Sequence, residues 1–483
     1  MRVRRRWKVD LRGPDGKTGR PLTCGGDRVR QRKPGDDSRG EAFAARITRR
    51  KLLANASLGA GALVATDLGR VASAWGRHPG AAAYDAEIAS AWFDLALELV
   101  RTTPGFSPPV ASRAFGYAGT TLYEAIVPGI AGGRSLAGRL NGLDRAPQPA
   151  KGLHWPTVAN SALAAILRSL FPTTSSENRT AIDELERRFH QEGSAVLPRG
   201  VHRHSAARGA AVAAHVFEWS RADGAHEAFR DNFPPYDRPV GPGLWVPTPP
   251  AFSPALQPYW DRNRAFVLAA PETCSPGPPP DYSEAPNSAF YAEANECYLA
   301  SSSLTAEQEE IARFWADDPG QTATPPGHSI SILTQVARRF DLPLDQAAEA
   351  YMKVGIAVAD AFISCWHTKY RDNLLRPVTY IRDHIDSGWL PLLATPPFPE
   401  YTSGHSVQSG AAARVLTNLF GDQAFTDHTH DARGLEPRSF SSFTEAAQEA
   451  AISRLYGGIH FRAAIERGLE EGDCVGEAVS ALH

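Results

Sequence analysis

Past residue 84 the spacing of apolar and polar positions is helical along almost the whole chain. From Asp85 to Arg101 the apolar set Ile88, Trp92, Leu95 and Leu99 recurs at the interval that puts side chains on one helix face. Residues 110–126 and 158–171 repeat the pattern with many alanines, which predicts helices packed at close range. Further helices are predicted at about 178–190, 203–222, 305–316, 328–340, 405–420, 443–456 and 463–481, with a long one over 345–369. Thr305 with Gln308, and Ser442 with Glu445, have the spacing of capping boxes. No alternating stretch longer than a few residues predicts a strand, and no internal repeat is evident. The exception is 230–290, crowded with prolines such as Pro234, Pro235, Pro249, Pro250, Pro278, Pro279 and Pro280. Such a segment should wrap the helices as extended chain, and its length marks it as bordering a site. The expected fold is one large all-α domain, a helical bundle or two bundles packed together.

Composition narrows the classes. The chain has 483 residues, 42% hydrophobic and 22% charged, the mix of a folded globular protein. No apolar run approaches the roughly 18 residues of a membrane-spanning helix, so no span is expected in the mature protein. Five cysteines are too few for a disulfide scaffold and lack paired zinc-ligand spacing. The net charge of −2 hides a split. Residues 1–51 hold 17 Lys/Arg against 6 Asp/Glu, and the rest hold 34 against 47. An acidic body disfavours a nucleic-acid partner.

The N-terminus reads as an address. Residues 1–47 are basic, rich in Gly and Asp and without apolar periodicity, and are expected to be disordered. Residues 48–74 begin Thr48-Arg49-Arg50-Lys51-Leu52-Leu53, continue through a short apolar stretch to Ala65, and end in Ala72-Ser73-Ala74. Basic region, apolar region and small-x-small cleavage pattern make a signal peptide, and the paired arginines resemble the twin-arginine type. The expectation is a mature chain, 75–483, starting near Trp75 and exported already folded to the periplasm or the exterior.

Three later segments carry chemistry. Lys369 ends the long predicted helix, and Arg376 follows seven residues on, before Pro377. Pro396-Pro397-Phe398-Pro399-Glu400-Tyr401-Thr402-Ser403-Gly404-His405 is a proline-stiffened loop that stops where an apolar helix begins. A helix N-terminus with a glycine amide and a serine hydroxyl is a ready oxyanion site. Ser453-Arg454, followed by Gly457, Gly458 and His460, brings a further guanidinium and imidazole to the start of the last helix. Three cations, a hydroxyl, backbone amides and two histidines are what a tetrahedral oxyanion requires: donors from several sides, one nitrogen for its centre and one acid/base.

These segments resemble the signature of the type 2 phosphatidic acid phosphatase and vanadium haloperoxidase superfamily: Lys-x6-Arg-Pro, Pro-Ser-Gly-His, and Ser-Arg-x5-His-x3-Asp. The Pro-Pro-Phe-Pro-x-Tyr run and Trp366 are closest to the haloperoxidase branch. The resemblance implies two packed four-helix bundles with the oxyanion site within 366–460. It implies that Lys369, Arg376, Ser403, Gly404 and Arg454 hold vanadate oxygens. His460 would be the protein ligand to vanadium, His405 the acid/base, and Trp366 and Phe398 the halide side of the pocket. The implied enzyme uses hydrogen peroxide to oxidise halide to hypohalous acid, with a small organic acceptor as a further candidate partner. The alternative is a soluble acid phosphatase without cofactor, whose His460 attacks a phosphate ester in the same pocket. Two positions depart from the motif. Thr402 stands for its first proline, and Ala464 for its aspartate, leaving Glu466 or a backbone carbonyl to orient His460.

The remaining candidates carry less. His328, His367, His384, His428 and His430 lack partners at clear ligand spacing and read as structural or surface residues. Asp317-Asp318 reads as a solvated helix end, with a pocket acid as the other option. Cys274 and Cys297 are candidates for a disulfide, a pairing the sequence leaves open.

Overall fold

Alanine- and glycine-rich helix faces set how this chain packs. A computed structural model describes residues 79–482, so the segments expected to form the basic extension, an export signal and its cleavage site lie outside the described residues. Thirteen α-helices occur among these residues. The first five are α1 (Glu87–Thr102), α2 (Pro108–Ile126), α3 (Trp155–Leu170), α4 (Ser176–Val196) and α5 (Arg199–Arg221). After the proline-rich segment come α6 (Ala289–Ser302), α7 (Ala306–Phe314), α8 (Thr324–Arg339), α9 (Leu344–Asp372), α10 (Pro377–His384) and α11 (Gly404–Phe420). A two-stranded antiparallel hairpin, β1 (Phe425–Asp427) with β2 (Arg438–Phe440), pairs Phe425 with Phe440. Helices α12 (Phe443–Tyr456) and α13 (Arg462–Ser480) complete the fold.

The all-α expectation holds. Helices α6 and α10 were not anticipated: the first has no clear apolar stripe, and the second is eight residues opened by Pro377. Thr305 and Gln308 form the full capping box. At α12 only half of the box forms, because the Glu445 carboxylate bonds Ser441 rather than Ser442.

The 29-residue α9 runs through the centre, buried for most of its length. It meets α2 backbone to backbone. A Cβ on Gly355 would lie 2.6 Å from the Phe115 carbonyl oxygen, and one on Gly119 would fall on the Tyr351 carbonyl. A similar contact seats α13 on α11, where a Cβ on Gly468 would lie 2.7 Å from the Ser406 Cβ. Two hydrophobic cores result. The larger includes Trp366 and Val407; the smaller includes Leu375, Tyr401, Phe461 and Ile465. The three motif segments therefore lie along the seam between the cores.

The proline-rich segment wraps these helices as expected. The buried Asp360 of α9 accepts from the amides of Phe266, Val267 and Leu268, which pins the segment to the central helix. Cys274 forms its disulfide with Cys474 of α13, not with Cys297. Cys297 lies on α6 inside the smaller core and is reduced. The pairing spans 200 residues, a separation no sequence spacing reveals.

Candidate active site: a buried cationic anion cradle

Each predicted site residue is held at a helix end or in the loop before one. Ser403 caps α11: its hydroxyl accepts from the Ser406 amide, and its own amide donates to the Ala464 carbonyl. Gly404 and His405 thus fall in the first turn of α11, where backbone amides lack intrahelical partners. Arg376 caps α10, and Lys369 lies in the last turn of α9. Arg454 ends α12, and His460 follows a turn whose Gly458 has φ +74. A side chain there would strain the backbone and press on Trp389 and Pro391, so the position suits glycine.

Lys369, Arg376 and Arg454 are all buried, yet none has a carboxylate ion-pair partner among the described residues. Arg376 donates through Nε to the Phe398 carbonyl and through Nη1 to the Ile459 carbonyl, each at 2.8 Å. Its Nη2 is buried without a partner. Arg454 donates to the Ser453 hydroxyl and the Ala312 carbonyl. Lys369 Nζ donates to the carbonyls of Pro399, Glu400 and Thr402, so its three protons brace the loop that leads into Ser403. To donate to a bound anion it must exchange one of these bonds. Burial lowers the pKa of Lys369 to about 8, and those of Arg376 and Arg454 to about 10. Such a cluster is costly until a counter-anion arrives.

Glu400 is the residue that sequence reasoning missed. It is fully buried, and its Oε1 accepts from His460 Nδ1 and from the Phe461 amide, both at 2.8 Å. That bond fixes the tautomer. With the proton on Nδ1, the Nε2 lone pair faces Arg376 Nη1 at 3.3 Å and can serve as a ligand. Glu466 does not perform this role; it lies near Arg462 at 3.8 Å on the surface. Burial, partly offset by Arg376 and Lys369, raises the Glu400 carboxyl to about 7. Burial, then Arg376 and Lys369, hold His460 well below the usual imidazole range, so the ring is neutral. The sequence signal was present, an acid two residues after Phe398, but it lies 60 residues from its partner.

Thr402 also finds its reason. Its hydroxyl donates at 2.6 Å to Glu471 of α13, a buried carboxylate that also accepts from Ser364 and Thr368 of α9. This ties the loop to two helices at a position where the motif has proline.

His405 lines the same cavity as His460. The Trp315 backbone carbonyl hydrogen-bonds its ring, while Nε2 is buried without a partner. Burial and then the Arg454 guanidinium hold it well below the usual imidazole range. Trp315 in turn stacks on His328 at 4.4 Å. His328 is clamped by Asp317 at 2.8 Å and Asp427 at 2.7 Å, with His430 3.4 Å from Asp317. Burial opposes its charge, but the two carboxylates raise it to about 10, and it is an imidazolium. Asp317 is thus a buried partner of His328 rather than a solvated helix end; Asp318 is exposed at the mouth. Asp317, His328 and His430 offer ligand atoms within 4.8 Å of one another, a cluster separate from the His460 site. The other histidines stay structural or superficial: His367 bonds Asp261, His384 faces Tyr282, and His428 bonds Asp431 on the surface.

Phe398 lies between two cations, 5.0 Å from Lys369 Nζ and 4.8 Å from Arg376 Cζ, and 5.0 Å from the Trp366 ring. Trp366 Nε1 donates to the Leu256 carbonyl. A cavity of about 870 Å³ opens above, with Gly404, His405, His460, Trp366 and Phe398 along its floor.

Comparisons with known proteins place the fold in a family. Residues 349–483 match the family model for the VCPO second helical-bundle domain. The solved structure of a bacterial vanadium-dependent iodoperoxidase is 42% identical, covers 83% of this chain and 97% of its own, and superposes with a TM-score of 0.76. The chain belongs to the vanadium-dependent haloperoxidase family. A bacterial vanadium-dependent chloroperoxidase, solved in its holo form, shares the fold at 17% identity and a TM-score of 0.60, covering 79% of this chain and 93% of its own. The vanadium chloroperoxidase of Curvularia inaequalis is 23% identical over 304 residues, 47% of this chain. The match spans about half the length of that curated relative, 50%.

The residues present fit vanadate. Three buried cations without carboxylate ion pairs, the orphaned Arg376 Nη2 and His405 Nε2, and a neutral His460 with a preset tautomer form a site for a multiply charged tetrahedral anion. Among the described residues no helix is long and apolar enough to cross a membrane.

Proposed function

We propose that this chain is an exported, vanadate-dependent haloperoxidase that uses hydrogen peroxide to oxidise halide to hypohalous acid. The observation that carries the reading is His460, its Nδ1 bonded to Glu400 and its Nε2 directed into a buried cluster of cations that have no carboxylate ion-pair partner among the described residues. Iodide is the halide first expected, because the 42%-identical relative is an iodoperoxidase.

Vanadate, when bound, supplies a Lewis-acidic centre that activates peroxide toward two-electron oxidation of a halide. The chain does the rest. His460 Nε2 would ligate it, and Arg376, Arg454, Ser403 and the Gly404 amide would hold its oxygens. Lys369 contributes its field and, on releasing a carbonyl, one donor. His405 Nε2, neutral and without a partner, takes a proton from incoming peroxide and returns it as hypohalous acid leaves. The Phe398 and Trp366 rings border the approach of the halide, and the buried floor limits water.

A phosphatase reading has one observation in its favour. The Glu400–His460 pair supplies the carboxylate partner that a nucleophilic histidine uses, despite Ala464. Both readings are tested together by titrating vanadate-free protein with orthovanadate and assaying peroxide-dependent iodide and bromide oxidation beside phosphate-ester hydrolysis. Vanadate-dependent halide oxidation suppressed by phosphate supports the peroxidase. Ester turnover without halogenation supports the phosphatase. Export is tested by N-terminal sequencing of the secreted fraction, which should begin near Trp75; full-length protein confined to the cytoplasm overturns it.

A further inference from the structure

Halide and peroxide need little of the cavity above the cradle. Its volume is about 870 Å³. A halide and a peroxide molecule together need on the order of 100 Å³, given ~30 Å³ for a water. The remaining space has the size and lining of a site for an organic molecule, ~300–1,000 Å³ and mainly apolar. Its walls include Phe106, Phe233, Leu256, Phe362, Pro250 and Pro397. These walls are braced before any ligand arrives: the Leu256 amide donates to the Pro397 carbonyl, and Asn232 bonds Ser107, Gly105 and Gln257.

Charge selects the ligand. Besides its histidines, the lining carries only Arg101, Asp317 and Asp318 as charged residues. Arg101 is paired with Glu98, and Asp317 with His328. Asp318 is exposed at the mouth, so once vanadate fills the cradle an anionic substituent finds repulsion and no partner. At the mouth Phe233 is 43% exposed, an aromatic surface open to an entering ring. The floor delivers an electrophile, which requires a nucleophilic carbon.

We propose that this cavity binds a neutral, electron-rich aromatic acceptor of one or two rings and that halogen is transferred to it in place. The proposal rests on the haloperoxidase reading above. The transfer is X–OH + Ar–H → Ar–X + H₂O: the C–X bond forms as the X–O bond breaks, and the ring proton leaves with the hydroxide as water. Peroxide and halide, the substrates of the proposed activity, supply the hypohalous acid.

The probes are 2-naphthol and its 6-sulfonate, rings of similar reactivity that differ by one charge. Binding to vanadate-loaded protein, with the cradle filled, is measured by equilibrium dialysis without peroxide, and iodination by the same protein is followed with product isomers resolved. Triiodide formation without acceptor reports halide oxidation alone. We expect 2-naphthol to bind at least about tenfold more tightly than the sulfonate, a difference of about 1.4 kcal/mol. Iodination of 2-naphthol should saturate. Ala251→Trp, at an exposed rim position, should weaken binding and raise KM about fivefold or more through steric occlusion, leaving triiodide formation unchanged; Phe233→Ser should act in the same direction. Equal binding of both probes, no saturation, the isomer ratio of reagent hypoiodite and indifference to both variants would overturn the proposal. Absent triiodide formation with selective 2-naphthol binding would instead sink the haloperoxidase reading and leave the cavity assignment standing.

Discussion

Glu400 offers the sharpest test of how the cradle works, because its two plausible effects have opposite signs. Its Oε1 bonds His460 Nδ1 and the Phe461 amide, each at 2.8 Å, from a fully buried position. In Glu400→Ala both donors lose their acceptor. An unsatisfied buried donor costs about 1–3 kcal/mol, and loss of a partner to a ligating histidine typically weakens metal binding ~10–100-fold. Removing a negative charge beside Lys369 and Arg376 acts the other way and favours an anion. Glu400→Gln separates the two, since the amide oxygen can still accept while the charge is gone. If orientation dominates, Glu400→Ala should bind vanadate about 10–100-fold more weakly, and Glu400→Gln within about tenfold of the parent. The assay is equilibrium titration of vanadate-free protein by calorimetry, with circular dichroism to verify the fold. Tighter binding in both variants would refute the positioning role and show that the local field governs affinity. Unchanged binding in both variants would refute both accounts.

Three further outcomes follow from the same structure. His460→Ala should abolish vanadate binding in an equilibrium titration, whereas His405→Ala should still bind through Arg376, Arg454 and the Gly404 amide yet lose most peroxide-dependent turnover; equal loss of affinity in the two would reverse the assignment. His328 is held charged by Asp317 and Asp427, with its pKa raised to about 10, above the ordinary value of about 6.5. Its stabilisation is therefore fully present below about pH 6.5 and lost as pH rises toward about 10, so the Tm gap between parent and His328→Gln should shrink over that range; a constant gap would refute the charged clamp. Cys474→Ser should destabilise the fold by about 2–5 kcal/mol in non-reducing denaturant titrations, and dithiothreitol should then change the parent but not the variant; a parent insensitive to reduction would show that the bond contributes little.

Much of this protein is written locally. The helices follow from the apolar spacing of α1, the alanines of α2 and the capping box at Thr305, all set within a few residues. The cradle was legible for a related reason. Lys369, Arg376, Ser403, Gly404, Arg454 and His460 sit at helix ends, so short spacings fix where each side chain points. Burial of the cations without carboxylate ion pairs was not legible, nor was the partner of His460. Glu400 reaches His460 across 60 residues, His328 reaches Asp427 across 99, and Cys274 pairs with Cys474 across 200. Those pairings exist because α11 and α13 dock through glycine contacts and the proline-rich segment is tied down at Asp360. Sequence periodicity decides which face of each helix is apolar. Which polar groups are then trapped together in low dielectric, and so which must be neutral, charged or waiting for an anion, is decided only once the helices have packed.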